Sequence, residues 1–533
     1  MSQKQGNKFT RRKFLKYTGV AGATILAGSS LTGCLKGGEE EKVDTAVIGT
    51  TDSVTTLDPA NCYEYFSSEM LFNTMDRLTG YKPGTSELVP VLAKDWEANK
   101  DTTKYTLPLR EGVKFQNGNE MLAEDVKFSL ERAINLEGKP AFLLGNIDSV
   151  NVVDDYTVEL DLKSPSSLIP SKLAYTVGSI VPKEEYNKNE FQPEDAMGTG
   201  PYQIDDWQKG SYITLVENEE YWGDSPFAET IKFKFYKKSS QLKMALNGGE
   251  LDAAYRQFQP LQRQALRENE EVETKSAPSP SIRYLVLNVQ KSPTKQIGVR
   301  KAIAYAINRN EIDEQVYAGS VEPLYSMVPK GMWSHEQVFK QKYGTGSNIE
   351  EAQAQLEEAG YSKDNPLEMN LWYTTRHYGP LEGELATTLK KQIEETEMVD
   401  VTLQSSGWGT YASDLDSGKM RLFLLGWYPD YIDPDDYIGS PFLSESGSKS
   451  TGSFYANDQA QELINQEKSI TDREERTEIF KELQNMCAND IPLLPLFQKK
   501  QFSAFQPHIK KESFIMGPAQ IFRGNLLNSE NWE

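Results

Sequence analysis

Cysteine and histidine are scarce in this 533-residue sequence, and their positions argue against a metal centre. The three cysteines, Cys34, Cys62 and Cys487, form no Cys-x-x-Cys pair, and the three histidines are widely separated. Structural zinc sites collect four Cys or His ligands, usually in closely spaced pairs, so we expect no metal and no cofactor. A disulfide between Cys62 and Cys487 stays open, but two separate buried thiols are the favoured interpretation.

The motifs of common secreted hydrolases are also missing. The sequence has no His-Glu-x-x-His zinc motif and no Gly-x-Ser-x-Gly nucleophile elbow. Ser240-Gln241-Leu242-Lys243 matches Ser-x-x-Lys, but such a match is common by chance, and the motifs that accompany it in known enzymes are lacking. We therefore expect a protein that binds its substrate without transforming it, with a secreted peptidase as the alternative.

Positive charge is in short supply. Lys and Arg number 57 against 78 Asp and Glu, which gives a formal net charge of −21 at pH 7. A surface with this charge repels the phosphate backbone, so we expect no nucleic-acid partner. The composition, with 38% hydrophobic and 25% charged residues, is that of a globular protein, and the length allows two or three lobes.

A long apolar run is missing as well. The apolar, Gly- and Ala-rich stretch at residues 17–33 is too short for a convincing membrane span and fits a cleavable export signal. It follows the pair Arg11-Arg12, which resembles a twin-arginine signal. A general secretory signal with two adjacent arginines is the alternative. We therefore expect residues 1–33 to be a twin-arginine-type signal peptide.

The segment Leu31-Thr32-Gly33-Cys34 resembles a lipobox, in which the cysteine thiol receives a diacylglycerol. Two acyl chains anchor a protein stably where one chain does not. We expect the mature protein to begin at Cys34, with residues 34–42 forming the lipidated cysteine and a short flexible tether. The body would then be extracytoplasmic, lipid-anchored to the outer face of the cytoplasmic membrane, on the periplasmic side if an outer membrane is present.

Strand and helix patterns alternate along the body, which predicts an α/β protein with mixed sheets. The predicted strands cover Thr45–Gly49, Lys104–Arg110, Thr157–Leu162, Ile213–Glu217 and Ile231–Tyr236. The predicted helices cover Ala123–Ile134, Gln241–Asn247, Val299–Ile307, Ile349–Ala359, Leu381–Glu395 and Arg473–Asn489.

The stretch at residues 426–437, GWYPDYIDPDDY, is the most unusual part of the body. It follows an apolar run, Leu422–Leu425, that is typical of a buried strand. Asp433 before Pro434 fits the N-cap of a helix, whereas Asp430 has no comparable structural role. Open α/β sheets bind ligands beyond the carboxyl ends of their strands, and a carboxylate among aromatic rings suits a cationic group. We therefore predict that Asp430 binds an amine.

Short motifs run in a fixed order over nearly the whole mature length. They are Leu57–Ala60, Leu88–Trp96, Leu109–Phe115, Ala123–Val126, Gly198–Tyr202, Asn218–Trp222, Gly249–Asp252, Val299–Ile307 and residues 426–437. Each motif alone is weak, but their shared order resembles the family 5 extracellular solute-binding proteins, the dipeptide- and oligopeptide-binding group of ABC importers.

The resemblance implies a two-lobe, periplasmic-binding-protein-like fold of the class II type, with an extra inserted domain. The implied domains are a discontinuous domain I (residues 43–76, 197–285 and 501–533), an inserted domain II (residues 77–196) and domain III, the second lobe (residues 286–500). Ligand would be enclosed between lobes that close by hinge motion.

Site residues follow from the same resemblance. In the peptide binders of this family, an aspartate at the position of Asp430 pairs with the α-amino group of the ligand. The dipeptide binders place an arginine on the ligand carboxylate in a segment resembling residues 371–380, which makes Arg376 the candidate. A surface or interlobe salt bridge is the alternative for Arg376. The aromatic candidates for lining the cleft are Trp408, Trp427, Tyr431, Tyr63 and Tyr65.

The predicted function is therefore that of a monomeric substrate-binding lipoprotein. It would capture dipeptides or oligopeptides, or another small solute, and deliver them to ABC permease subunits with a cytoplasmic ATPase. Oligosaccharides or metal chelates are alternative ligands within the same fold. A lipoprotein that uses the fold for signalling or as a chaperone is a further alternative.

Overall fold

The computed structural model describes residues 43–226, 228–256 and 258–509. Two parts of the chain lie outside the described residues: residues 1–42, with the predicted signal peptide, Cys34 and the tether, and the tail from residue 510. The strands are β1 Val43–Thr50, β2 Thr79–Tyr81, β3 Leu88–Pro90, β4 Glu97–Ala98, β5 Lys104–Pro108, β6 Ile147–Asp154, β7 Thr157–Leu162, β8 Tyr202–Gln208, β9 Tyr212–Glu217, β10 Ala228–Phe235, β11 Ala253–Tyr255, β12 Glu273–Leu287, β13 Val321–Pro323, β14 Leu367–Thr374, β15 Val399–Ser406, β16 Leu422–Trp427 and β17 Leu493–Phe505. The helices are α1 Tyr65–Thr74, α2 Ala123–Leu136, α3 Ile169–Leu173, α4 Ser239–Asn247, α5 Pro260–Arg267, α6 Ile297–Ala306, α7 Arg309–Ile312, α8 Val338–Tyr343, α9 Ile349–Glu358, α10 Glu382–Glu394, α11 Trp408–Asp416, α12 Asp435–Ile438, α13 Glu445–Ser450, α14 Asp458–Glu467 and α15 Arg473–Asp490.

The mixed α/β class predicted from the sequence is confirmed. Every strand and helix that the sequence predicts is present, with boundaries that differ by at most a few residues. Local signals explain this agreement. The Asp125 carboxylate accepts the backbone N–H of Leu122 at 3.0 Å, which caps α2. Gly360 has a φ of +93° directly after the last turn of α9, where a left-handed residue ends the helix.

An eleven-stranded mixed sheet forms the framework of the molecule. Its order is β15-β14-β16-β12-β17-β11-β1-β10-β9-β8, and β13 adds to β17. We call the strands β1 and β8–β11 the first half of this sheet and the strands β14–β16 the second half. The long strands β12 and β17 join the halves, because β17 pairs with β11 at one end and β12 pairs with β16 at the other.

The apolar residues form separate cores. One core packs the strands of the first half against α1, and a larger one surrounds the second half. A third core lies between α2 and a separate four-stranded sheet of order β4-β5-β7-β6. In β5 and β7, buried residues alternate with partly exposed ones, so each strand presents one apolar face to this core.

Cys62 and Cys487 are buried in different cores and are free thiols, as the favoured interpretation predicted. Burial raises the pKa of the Cys62 thiol to about 12, so the thiol is protonated at neutral pH. Across the described ranges, no helix is both long and apolar enough to cross a lipid bilayer.

Candidate functional site

A cavity of about 880 Å³ lies between the two halves of the sheet. Its walls are built by residues that directly follow strands: Thr51 after β1, Arg256 after β11, His377 shortly after β14 and Tyr428 after β16. Within each half these strand pairs are parallel, so their carboxyl ends meet at one edge. This is the position at which open α/β sheets bind ligands. The cavity is therefore the candidate ligand site.

Asp430 lies in the loop that follows β16. Its carboxylate accepts a hydrogen bond from the hydroxyl of Tyr63, which precedes α1 in the first half. Its backbone N–H donates to the Asp436 carboxylate at 2.7 Å. Burial raises the pKa of the Asp430 carboxyl, while the Tyr63 hydroxyl and the charge of Lys172 act in the opposite direction. Two of the predicted site residues thus meet across the gap between the halves.

Tyr65 and Tyr431 lie close to Asp430. A second, smaller cavity of about 50 Å³ is lined by Tyr65, Asp430 and Tyr431 among others, and Tyr65 also lines the large cavity. The Tyr65 ring meets the ring of Tyr428 edge to face, with centroids 5.6 Å apart. Tyr431 is buried, and its hydroxyl donates to the Asp435 carboxylate at 2.6 Å. The predicted aromatic surroundings of Asp430 are therefore present.

Trp427 and Trp408 occupy positions outside the lining of the large cavity that the described residues form. Trp427 is partly buried, and its indole N–H donates to the Asp436 carboxylate at 3.2 Å. Trp408 is 39% exposed and stacks on the ring of His377, with centroids 3.8 Å apart. His377 itself lines the large cavity, so Trp408 packs against a residue of the cavity wall.

The structure places Arg376, the predicted ligand of the peptide carboxylate, outside the lining of the large cavity. Its side chain is exposed, and in the portion of the chain that the structure describes it makes no ion pair and does not line the large cavity. Its neighbours His377 and Tyr378 do line that cavity. The role of Arg376 stays a prediction.

Five cations that the sequence analysis did not single out line the cavity: Arg256, Arg263, Arg283, Lys499 and Lys500. Arg256 pairs with Glu69 and lies 3.5 Å from the Asp52 carboxylate. The Lys499 ammonium donates to the Tyr428 hydroxyl at 2.7 Å. A signal in the sequence could have found two of them, because Arg256 follows an apolar strand and Arg283 interrupts one. A charge in such a position is costly unless it is paired or functional.

Behind Asp430, a buried ionic network fixes the loop. The Arg476 guanidinium donates to both carboxylate oxygens of Asp433, at 2.8 and 2.9 Å, and to Glu467 at 2.8 Å. Asp433 also accepts the backbone N–H of Asp435 at 3.0 Å, although α12 begins at Asp435. The predicted N-cap role of Asp433 is wrong by one position, because Pro434 is the N-cap of α12 and makes no side-chain capping hydrogen bond. Asp433 instead binds the Asp435 N–H and Arg476, so its role is structural.

A family model and two curated relatives both relate this chain to solute-binding proteins. The family model for bacterial extracellular solute-binding proteins, family 5 (middle), matches residues 87–449. The probable D,D-dipeptide-binding periplasmic protein DdpA of Escherichia coli K12 is 26% identical over 499 residues, which cover 91% of this chain and 94% of DdpA. The dipeptide-binding protein of the same organism is 28% identical over 485 residues, covering 85% of this chain and 88% of that protein.

Solved structures share the fold over almost the full length. HbpA2 from Haemophilus parasuis superposes with a TM-score of 0.82 at 21% identity, covering 91% of this chain and 99% of HbpA2. The periplasmic binding protein DppA from Helicobacter pylori, in complex with the peptide STSA, gives a TM-score of 0.71 at 23% identity and covers 92% of this chain and 98% of DppA. The predicted two-lobe binding-protein fold is confirmed by these matches. The chain belongs to the bacterial extracellular solute-binding proteins of family 5.

Proposed function

We propose that this protein is the substrate-binding component of an ABC importer that captures peptides in the cleft between the two halves of its sheet. It would deliver them to permease subunits coupled to a cytoplasmic ATPase. Asp430 carries this proposal: a half-buried carboxylate, surrounded by aromatic rings and contacted from the opposite half by Tyr63. The names of two relatives refer to dipeptides, and one structural neighbour holds a peptide.

The chemistry of capture follows from the surroundings of Asp430. A protonated peptide amine would donate to the Asp430 carboxylate, and one charged hydrogen bond contributes about 1.5–3 kcal/mol. Tyr63 reaches the same carboxylate from the other half, so a ligand at Asp430 would contact both halves at once. This arrangement supplies a fixed charge that would bind an amine, and we propose no reaction at it. Binding without catalysis is also the role of the family.

The domain division belongs to the same proposal. Domain I would comprise residues 43–76, 197–285 and 501–533, domain II residues 77–196, and domain III residues 286–500. Three separate cores support this division. The long strands β12 and β17 would then serve as the hinge, since they run from one half of the sheet into the other.

The N-terminal segment is proposed to tether the body to the membrane through lipidated Cys34, after export by a twin-arginine-type signal. The support is the sequence itself, LTGC after a basic and apolar leader. Replacing Cys34 with Ser should release the exported protein from the membrane fraction. Fractionation that leaves the C34S protein in the membrane would contradict lipid anchoring.

Thermal unfolding of the body, residues 35–533, with panels of ligands tests the peptide specificity. A ligand at one hundred times its dissociation constant adds about 2.7 kcal/mol to the free energy of unfolding. We expect dipeptides or longer peptides to raise the unfolding temperature and their N-acetylated forms to lose most of this effect. Stabilisation by oligosaccharides alone would keep the transport role and overturn the peptide proposal.

A further inference from the structure

The lining of the large cavity is more positive than the rest of the protein. Among the described residues five cations line it, against the three carboxylates of Asp52, Glu64 and Glu382. The whole chain, in contrast, carries a formal net charge of −21. The excess of cations at this cavity is therefore local, and general composition does not explain it.

All three carboxylates of the lining already have cationic partners. The pairs are Asp52 with Arg256, Glu64 with Lys139, and Glu382 with Arg283. Arg256 also pairs with the buried Glu69. The cations that remain in the lining are Arg263, Lys499 and Lys500, which we call the basic wall.

The basic wall has no acidic partner in the protein as far as residues 43–226, 228–256 and 258–509 show. Its three side chains make no ion pair there, and their hydrogen bonds go to neutral oxygens. All three residues are half-buried. Water therefore screens their charges less than it screens charges on the open surface. An anionic group of the ligand is the partner that the chain itself does not supply.

Arg263 keeps an unused donor. Its Nε donates to the carbonyl of Phe258 at 2.9 Å, and its Nη1 donates to the carbonyl of Lys500 at 3.0 Å. Nη2 makes no hydrogen bond in the described part of the chain and is not a buried atom. Burial lowers the pKa of Arg263 to about 10, and the charge of Arg267 acts in the same direction. The guanidinium is thus held in place and is still open to an acceptor.

The two lysines of the basic wall also have unused donors. Nζ of Lys499 donates to the Tyr428 hydroxyl at 2.7 Å and to the Tyr378 carbonyl at 3.3 Å. Nζ of Lys500 donates to the Gly319 carbonyl at 3.2 Å. Since an ammonium group has three N–H donors, these contacts leave donors of both lysines for an incoming carboxylate.

The basic wall lies within reach of Asp430. Tyr428, whose hydroxyl contacts Lys499, is two residues from Asp430 in the loop after β16. The Cα atoms of Tyr428 and Asp430 are therefore at most about 7 Å apart. A short peptide whose amine binds Asp430 can present its following side chains to the basic wall.

The charge of the ligand follows from the surplus of cations. A peptide with neutral side chains brings one amine, which Asp430 would balance, and one carboxylate. A single carboxylate does not balance three cations, and closure of the halves around the ligand would remove water from the cations left over. A charge that loses its water without gaining a partner is strongly unfavourable. A second carboxylate, on a side chain of the peptide, reduces this penalty.

We propose that the basic wall binds an acidic side chain, so that the protein selects peptides that contain Asp or Glu. This inference rests on the proposed peptide-binding function and narrows it to anionic peptides. Asp430 would hold the amine that all peptides share, and the basic wall would determine which peptides are preferred.

Calorimetric titration of the full-length protein with the tripeptides Ala-Glu-Ala and Ala-Gln-Ala tests the assignment. The two peptides have the same length and the same termini, so they differ in the charge of the middle side chain. We expect Ala-Glu-Ala to bind roughly 10- to 100-fold more tightly at neutral pH. This ratio should shrink as the salt concentration rises, because salt screens charges that remain open to solvent.

The variant R263Q/K499Q/K500Q removes the charge of the basic wall and should bind the two tripeptides with equal affinity. K209Q is the matched control, because Lys209 is an exposed cation that pairs with Glu194. It should keep the full preference for Ala-Glu-Ala. The single variants R263Q, K499Q and K500Q should each lose part of the preference, which tests the assignment if the triple variant unfolds.

The outcomes distinguish this inference from the function on which it rests. Equal affinity of the wild-type protein for both tripeptides would keep the proposed function and overturn the role of the basic wall. A preference for Ala-Glu-Ala that survives in the triple variant would overturn that role as well. If neither tripeptide binds, the peptide function and the role of the basic wall both fail.

Discussion

Asp430 differs from the other acidic residues of its loop in what it contacts. Asp433 binds Arg476, and Asp435 accepts the Tyr431 hydroxyl and the backbone N–H of Ser440 at 2.8 Å. Asp430 has no cation in direct contact within the described part of the chain, and its carboxylate accepts only the Tyr63 hydroxyl there. A half-buried carboxylate with a neutral partner can accept a charged amine.

Replacing Asp430 with Asn tests this role directly. The substitution keeps the shape and removes the charge, so we expect amine-bearing peptides to lose roughly 10- to 100-fold in affinity. N-acetylated peptides should bind the D430N and wild-type proteins about equally. Calorimetric titration measures the affinities of both kinds of peptide for both proteins. Equal losses for charged and acetylated ligands would mean that Asp430 is a general packing residue.

Asp436 makes the same site sensitive to pH. Its carboxylate is buried and lies next to Asp430, and burial together with the Asp430 charge raises its pKa well above the ordinary value. Because burial also raises the pKa of Asp430, the native protein binds more protons than the unfolded chain at pH values just above the ordinary Asp pKa. The free energy of unfolding therefore falls as the pH rises through this window, while binding of an amine needs the ionised Asp430.

We accordingly expect the affinity for peptides to fall as the pH is lowered from neutrality, before ordinary exposed carboxyls titrate. D436N should leave this loss at the same pH, because the pKa of Asp436 is raised well above its ordinary value and its carboxyl is protonated when Asp430 titrates. Titration of affinity against pH provides the measurement, and an N-acetylated peptide provides the control. A loss that D436N moves to lower pH would contradict this order of titration.

At the scale of secondary structure elements, one buried ion pair connects α2 to the segment that follows β1. Arg132 of α2 donates to both oxygens of Asp58, at 2.9 and 2.6 Å, and both side chains are at most 1% exposed. Asp58 also accepts the backbone N–H groups of Ala60 and Gln192, at 2.9 and 2.6 Å. This carboxylate therefore joins three stretches of chain that are far apart in sequence.

Asp58→Ala should lower the free energy of unfolding by about 3–5 kcal/mol, because it leaves the Arg132 guanidinium buried without its partner. Denaturant unfolding measures the change. The exposed pair Lys94–Glu111, with N···O at 3.0 Å, is the matched control, and E111A should cost less than about 1 kcal/mol. Similar losses for D58A and E111A would show that burial does not determine the effect.

For the molecule as a whole, contacts between residues 77–196 and residues 286–500 connect binding to motion. The backbone N–H of Ile432 donates to the Tyr81 hydroxyl at 3.1 Å, and the backbone N–H of Ser167 donates to the carbonyl of Lys468 at 2.6 Å. These bonds would break if the two parts separated about the proposed hinge, whereas the ladder between β12 and β17 would stay closed. Hinge motion at these two strands would therefore expose the crossing amides first.

A bound peptide that contacts both halves should slow hydrogen exchange at the segments containing Ser167 and Ile432. The amides of β12 around Leu285, which pair with both neighbouring strands, serve as the internal control and should change little. Mass spectrometry of peptic fragments, with and without ligand, gives the comparison. Uniform protection of all segments would indicate general stabilisation instead of closure.

The sequence by itself determined the elements and the family. Periodicity and capping residues act over a few positions, so α2 and β7 were predictable from their own residues. The order of the motifs indicated the fold, and the local chemistry of residues 426–437 singled out Asp430.

Only the tertiary structure decided which charges face the cavity. Arg283 and Glu382 are 99 residues apart in sequence, and Tyr63 and Asp430 are 367 apart. The sequence analysis singled out Arg376, but its side chain is exposed and does not line the large cavity, whereas Arg283, which it did not single out, does line it. The physical reason is that contacts between distant residues depend on sheet register and strand order, which no local pattern encodes.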